Sequence, residues 1–571
     1  MYHRLLLLHI MIYMSCYDSL AQSFRNDTIM VGMMDEISRC HTLMKKDSLL
    51  PPYYLSAEIE VKKTIGIAFA RGIIKRDTIK NSNGSCELRY GTFDLDHGNY
   101  SLKNSGGSYG GLWFSENSDY WDIRESLWRS FEHQYAKYSS LYNQKVQLIS
   151  TGALKDTIKD FVRSPQILDI YEMEDSSLII PNHIPELIKD LSQYIKKFAT
   201  IIQPGLGYKT SYTTSYFYST EGSKAIVGKK DVPDFIVFTF KYFDIYNTIK
   251  HKKIELFLKD DVTQMKATID HQVQSTIRKD NQLFSSLYSG PVLIEGEAVR
   301  DILLHKVFDE EAGLFSVREI YMNDPFQRQI YEKRYNYFQD RNGARAFPKD
   351  MDIKVGNQKY VDGVRVPGFK RFDIEGIIPK DSLTLVKSGI IKNLISTRIP
   401  TISGNEPHGY TQSKMIDQIT AYPPFIHFNF TNEVTQSQLK NQFIEALKDD
   451  GLDFGIIIKS ISKNENTRLY SSFKKENRIY IDQIFLYEVS SGKEIPIFGV
   501  YIKDIQNHIL RRIQGSGKDQ EISITDLGHR FDPFSVLCKY PKALHLDEME
   551  IIPYKGEEGI KPVVSMPSGE K

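Results

Sequence analysis

The stretch Gly290-Pro-Val-Leu-Ile-Glu-Gly-Glu-Ala-Val-Arg-Asp-Ile-Leu-Leu-His-Lys-Val-Phe-Asp-Glu-Glu-Ala-Gly313 decides how the chain is read. Val292 to Ile294 is a brief apolar run after Pro291, which predicts a short strand. Glu295 and Glu297 supply negative charge for the first turn of a following helix, and Gly313 is its expected stop. On a wheel at about 100° per residue, Val299, Ile302, Leu303 and Val307 fall on one side, with Leu304 and Phe308 further round. So little of the circumference is polar that the helix is expected to be buried, and its polar groups to need partners. Lys306 and Glu310 fall four residues apart inside the apolar arc and are expected to pair, as are His305 and Asp309 beside them.

Around this segment lie 571 residues, with 73 Lys plus Arg against 72 Asp plus Glu and a formal charge of +1. That balance favours neither nucleic acid nor an anionic membrane surface as a partner. The length predicts more than one domain and ample material for a core. A hydrophobic fraction of 41% with 12% aromatics is that of a folded globular chain, and the many Tyr and Phe lean towards sheet.

At the start, Arg4 precedes the apolar run Leu5 to Met14, and Ser19-Leu20-Ala21 carries small residues where a signal peptidase reads. The expectation is export to the periplasm or cell envelope with cleavage after Ala21. It is preferred to lipidation at Cys16 and to an uncleaved anchor, since the run is shorter than the roughly 20 residues needed to span. Without Cys16 the cysteines are Cys40, Cys86 and Cys538, none at CxxC spacing, so no disulfide framework or cysteine-rich zinc site is predicted. Cys40 and Cys86 are either bridged or two partly buried free thiols, the second being the expectation.

Along the chain, residues 27 to 46 read as a helix halted by Pro51-Pro52, followed by extended runs at 53 to 62 and 64 to 74. Thr64 to Ile74 and Cys86 to Leu95 are expected strands separated by a turn at Asn81-Ser82-Asn83-Gly84. Asp122 to Tyr138 is an amphipathic helix with Ile123, Leu127, Phe131 and Tyr135 spaced by four, and a further helix is expected from His183 to Ile201, with Pro185 in its first turn. Gly205-Leu206-Gly207 opens a strand-rich stretch through Phe243, and Val262 to Arg278 returns to helix. Asp381 to Leu394 reads as a β-hairpin turning at Ser388-Gly389. Gln436 to Leu447 is a helix, Phe454 to Lys459, Ile479 to Val489 and Ile495 to Ile502 are strands, and Asn507 to Ile513 is a short helix. A closing strand is expected around Leu544 to Ile552, with a disordered tail from Gly556. Two glycine-rich stretches tempt a phosphate-loop reading and fail it. Gly106 to Gly111 lacks the Gly-Lys-Ser/Thr ending, and in Gly515-Ser516-Gly517-Lys518 the next residue is Asp519, not a magnesium-binding hydroxyl.

Gly-Pro-Val-Leu followed by a helix bearing Leu-Leu-His resembles the metal-site segment of the TldD/PmbA family, metallopeptidases also described as modulators of DNA gyrase. Other short stretches share the resemblance: Tyr53-Tyr54-Leu55-Ser56 after two prolines, Leu127-Trp128-Arg129, the Ser388-Gly389 hairpin, Arg398, and the loop Gly404-Asn405-Glu406-Pro407-His408-Gly409, similar to one lining the family's substrate channel. A solvated turn is the equal alternative for that loop.

The resemblance implies an α+β fold with residues 22–285 as an N-terminal α+β region, 286–420 as a central region holding the metal-site helix, and 421–555 as a β-rich C-terminal domain, behind a signal peptide at 1–21 and before a tail at 556–571. In active family members the helix carries His-Glu-x-x-x-His, with a C-terminal cysteine as a further zinc ligand. Here the six positions are His305, Lys306, Val307, Phe308, Asp309 and Glu310, so His305 and Glu310 are the remaining candidate ligands, and Cys538 is the candidate cysteine. Lys306 stands where the family's glutamate takes a proton from the metal-bound water, and an ammonium cannot act as that base. No catalytic residue is therefore assigned, and no cofactor is expected unless the site still takes zinc. The family's habit of pairing related subunits implies a homologous partner, in a homo- or heterodimer, and unfolded peptide as substrate. The expectation is a degenerate subunit supporting an active relative. The alternatives are a metallopeptidase with a site rebuilt from His305, Asp309 or Glu310 and Cys538, and a peptide-binding envelope protein without an enzymatic partner.

Overall fold

The computed structural model describes residues 23–45, 49–70, 72–101, 110–113, 119–155, 157–243, 249–276, 282–308, 313–316, 318, 321–322, 338–413, 420–461, 478–503, 509–529 and 532–553. Asp27 starts helix α1 (Thr28–Leu43) by accepting the N–H groups of Ile29 and Met30 at 3.0 Å each. The chain then runs out and back as two long antiparallel strands, β1 (Pro52–Ala70) and β2 (Ile73–Tyr90).

This hairpin corrects one expectation. Asn81 to Gly84 do not turn: Ser82 lies opposite Val61 and Gly84 opposite Ile59, inside the ladder. The reversal falls beside Gly72, whose φ of 80° only a glycine adopts without strain. Pairing with β1 on one side and, for Asn83 to Cys86, with β3 (Gly110–Trp113) on the other holds the polar run extended. The strand expected to reach Leu95 stops at Tyr90, because the Thr92 N–H folds back onto the Leu95 carbonyl at 2.8 Å.

The next helix, α2 (Tyr120–Ser150), starts on Asp119 and runs well beyond Tyr138, since no glycine or proline interrupts it before Gly152. Ile123, Leu127, Phe131 and Tyr135 are all buried, as their spacing predicts, and pack with Met33 and Ile37 of α1 against Leu55 and Ile59 of β1. The remaining elements of this part are β4 (Asp169–Met173), α3 (His183–Tyr194), β5 (Ile202–Ser219), β6 (Lys224–Asp231), β7 (Phe235–Phe243), β8 (Ile249–Phe257) and α4 (Val262–Thr276). Helix α3 ends before the expected Ile201, passing through a short 3-10 turn until Phe198 is extended. The strands form one sheet in the order β3-β2-β1-β5-β6-β4, with β7 and β8 continuing from β5. A second cluster, with Ile184, Ile188 and Leu191 of α3 against Ile67, Phe238 and Ile269, fills the other end of that sheet.

After residue 282 the chain builds two large sheets, among smaller two-stranded ones, around one core that extends from Phe284 to Ile551. Its elements include β9 (Tyr288–Glu295), α5 (Glu297–Val307), β10 (Met351–Gly356), β11 (Leu383–Lys387), β12 (Phe425–Phe430), α6 (Gln436–Asp449), β13 (Phe454–Ile461), β14 (Arg478–Glu488), β15 (Ile513–Gly517), β16 (Gln520–His529), β17 (Asp532–Pro541) and β18 (Ala543–Pro553). One sheet runs through β14-β13-β9-β18-β15, and the other through β11-β10-β12-β17-β16. Sequence-distant strands are therefore neighbours: β9 lies parallel to β13 and antiparallel to β18. Ser388 and Gly389, with φ of 50° and 74°, turn the predicted hairpin as a two-residue loop with both central residues left-handed. Thr435 and Gln438 form a reciprocal capping box at the start of α6. Gly499, at φ 81°, breaks the strand expected over Ile495 to Ile502 into two, and the short helix near Asn507 is a 3-10 turn at Ile509–Arg512. The amino-terminal 22 residues and the tail from 554 lie outside the described residues, as do the expectations placed on them. Among the described residues no helix is long and apolar enough to cross a membrane. Cys40, Cys86 and Cys538 are buried thiols.

Candidate functional site

Helix α5 begins at Gly296, whose φ of 61° lets the chain leave β9 and enter the helix within one residue. As its periodicity predicts, Val299, Ile302, Leu303 and Val307 are buried, as are Leu304 and Phe308. The helix ends at Val307, with the Phe308 N–H closing on the Leu304 carbonyl at 2.9 Å, so it stops six residues short of Gly313. His305 is half-buried in its last turn. The Lys306 side chain, Asp309 and Glu310 lie outside what the structure describes, and with them the two expected pairings and the candidate ligand Glu310.

The polar groups at the start of the helix are held by three other elements. Glu297 accepts from Lys252 of β8 at 3.2 Å and from Ser460 of β13 at 2.9 Å. Burial alone would raise the Glu297 carboxyl, but Lys252 and Arg300 outweigh it and hold the group at about 2. Arg300 pairs with Asp301 at 2.7 Å and donates to Ser523 of β16 at 2.9 Å. Burial would lower Arg300, and Asp301 reverses this, so the guanidinium is firmly charged.

Cys538 is on β17, opposite Ser523 and next to Ile426 of β12. Alternation places it on one face with Val536 and Tyr540, and all three belong to the cluster that contains α5, whereas Leu537 packs on the other side. The structure thus turns the candidate cysteine towards the layer of α5. Among the described residues no group of three or more His, Cys, Asp and Glu side chains is close enough to hold a metal ion.

A second polar centre went unread in the sequence apart from Arg398. This guanidinium is fully buried, donating to Tyr54 at 3.0 Å, to the Val162 carbonyl at 3.0 and 2.8 Å, and to Glu221 at 2.8 Å. It lies 4.2 Å from the Phe161 ring centre, and its own N–H donates to Glu375 at 3.0 Å. Glu375 also accepts from Thr411 at 2.9 Å, and Asp373 accepts from the N–H groups of Glu375, Ile377 and Thr411 at 2.9 to 3.1 Å. Burial first and Glu375 second push the Asp373 carboxyl up to about 7, against the pull of those N–H groups. Asp373 and Glu375 are each 1% exposed, which withholds them from a substrate and makes them part of a joint. The signal available was Phe372-Asp373-Ile374-Glu375, where charges alternate with apolar residues, since buried carboxylates require partners.

The loop at Gly404 to Gly409 is a turn that is solvated only in its first half. Asn405 and Glu406 are exposed, whereas Pro407, His408 and Gly409 are buried beside that joint. His408 Nδ1 accepts the Ser396 N–H at 3.1 Å, and burial lowers its imidazole to about 4, so it is a neutral structural acceptor.

This arrangement, a buried helix after a short strand under a mixed sheet, joined to a long-hairpin sheet, has relatives among solved structures. A candidate modulator of a DNA gyrase from Thermotoga maritima aligns over 91% of this chain and 99% of its own, at a TM-score of 0.57 and 12% identity. This chain has the TldD/PmbA fold. TldE from Thermococcus kodakarensis matches over 91% of this chain and 100% of its own at 0.53 and 12% identity. A candidate modulator of DNA gyrase from Bacteroides thetaiotaomicron matches over 94% and 98% at 0.54 and 11% identity. No family model matches the sequence, and no curated protein does. The α+β class expected from the sequence is the one observed, carried on a TldD/PmbA architecture over nine-tenths of the chain.

Proposed function

We propose that this chain is a TldD/PmbA-type subunit of the bacterial envelope that lacks peptidase chemistry of its own and supports an active relative cleaving unfolded peptides. The observation that carries this reading is Lys306, a cation on α5 next to the candidate ligand His305, where a metallopeptidase needs a carboxylate base. Of the His-Glu-x-x-x-His pattern the sequence keeps only His305, whereas a catalytic zinc takes three protein ligands. Retention of the fold despite that loss is what a supporting subunit needs, because partner and peptide contacts depend on shape and surface.

A second reading, a zinc peptidase with a rebuilt site, is favoured by one observation: Cys538 faces the layer of α5. Metal content separates the two. After exhaustive dialysis, elemental mass spectrometry of the purified chain is expected to find no stoichiometric zinc, and the chain alone is expected not to cleave an unfolded peptide. About one zinc per chain, lost in His305→Ala, would establish the rebuilt site instead.

A further inference from the structure

The sheet of β11, β10, β12, β17 and β16 carries a row of basic groups on the face turned away from α5. Phe425 and Leu537 lie on that face, covered by Val361 and Val366 of a small hairpin that pairs Tyr360–Val361 with Val364–Arg365. Two residues further along each strand, and so on the same face, His427 of β12 lies between Lys354 of β10 and Lys539 of β17. Thr384 of β11 continues the row beyond Lys354. Neighbouring strands are about 4.8 Å apart, so both lysines crowd the imidazole at a spacing where like charges destabilise a sheet.

One carboxylate answers this row, at one end. The hairpin turns at Asp362 and Gly363, both left-handed, and brings Asp362 to the Lys539 ammonium at 2.7 Å. At the other end Lys354 is exposed, without a hydrogen bond or ion pair among the described residues. Asp352, two residues before it on β10, is taken by Lys387 and the Ser388 N–H. Between the lysines, His427 Nε2 is buried without a hydrogen-bond partner. Burial first, then Lys539 and Lys354, push the imidazole down to about 4 against the pull of Asp362, so the ring is neutral. A second oxyanion supplies what the row lacks, an acceptor for Lys354 and for the imidazole N–H and a negative charge between two positive ones. Lys539 can join it, since an ammonium has three protons and Asp362 takes one.

We propose that Lys354, His427 and Lys539 form a binding site for an oxyanion, either a carboxylate or a phosphate-like group, seated over His427 between the two ammoniums. The site is on the far side of the sheet from α5 and does not depend on how the metal question is answered.

Titration calorimetry of the full chain with sodium sulfate and with sodium acetate, at constant ionic strength, tests it. One anion per chain is expected to bind with a Kd below about 10 mM, sulfate more tightly if the ligand is phosphate-like and acetate more tightly if it is a carboxylate. Lys354→Met, an exposed change, is expected to weaken binding about fivefold or more. Asp362→Asn frees Lys539 for the ligand and is expected to tighten binding about threefold, a gain that a misfolded variant does not produce. Asparagine tolerates the φ of 48° at that position. A bound anion strengthens the imidazole's hold on a proton, and sulfate itself does not titrate between about pH 5 and 8, so its affinity is expected to rise as pH falls across that range. His427→Gln is expected to abolish the rise. No saturable binding of either anion up to about 50 mM would overturn the proposal. So would binding indifferent to both Lys354→Met and Asp362→Asn, a sulfate affinity that does not change with pH, or a pH dependence that survives His427→Gln.

Discussion

Glu297 shows how one residue's environment decides its chemistry. It occupies the first position of a helix whose last turn holds the candidate ligand His305, yet its carboxylate is committed to Lys252, Arg300 and Ser460. Because its folded pKa of about 2 is below the usual carboxylate value, it stabilises the fold above about pH 4.5, and that stability is lost as pH falls towards 2. The side chain is 39% exposed, and solvent screening reduces its contribution to about 1 kcal/mol. Glu297→Gln should therefore lower the urea midpoint at pH 6, with the gap from wild type closing by about pH 2.5. A gap that stays constant across that range would mean that charge is not what holds the helix start. Asp373 has the opposite sign. Its folded pKa is raised, so its contribution is complete below about pH 4 and lost as pH rises through 7.

Among the elements, the hairpin at Ser388-Gly389 is where local sequence and tertiary structure agree most closely. A Cβ on Gly389 would approach the Phe347 and Pro348 carbonyl oxygens to 2.4 Å, and the backbone there is left-handed. Gly389→Ala is expected to cost roughly 2 to 3 kcal/mol, read as a shift in the denaturation midpoint. A change under about 0.5 kcal/mol would show that the turn relaxes freely. The legible elements share a property: α2, β7, α4, α6 and the buried side of α5 each carry a strong internal period. The errors came where the deciding partner was remote. Asn81 to Gly84 has the composition of a turn, and it remains extended because Val61 and Ile59 pair across from it.

In the whole molecule, separate apolar cores serve the sheet of β1 to β8 and the two sheets after residue 282. Charged side chains tie them together. Arg398 reaches Tyr54, Val162 and Glu221 from the later part of the chain, and Lys252 reaches Glu297 from the earlier part. Replacing Arg398 by Met leaves Glu221 Oε2 and the Val162 carbonyl without the guanidinium, at a cost of about 3 to 5 kcal/mol. Scanning calorimetry of Arg398→Met is expected to show the earlier part melting at a lower temperature, as a transition resolved from the rest. A single transition at the wild-type temperature would mean that the apolar contacts alone join the two parts.

The sequence by itself determined the α+β class, most helices and the burial of α5, because periodicity and residue type are local. Tertiary structure alone decided that β9, β13 and β18 share a sheet, that Cys538 faces the helix layer and that Arg398 forms a joint. Each of these depends on pairings between residues tens to hundreds of positions apart, whose register is set by which apolar faces meet and which buried charges find partners.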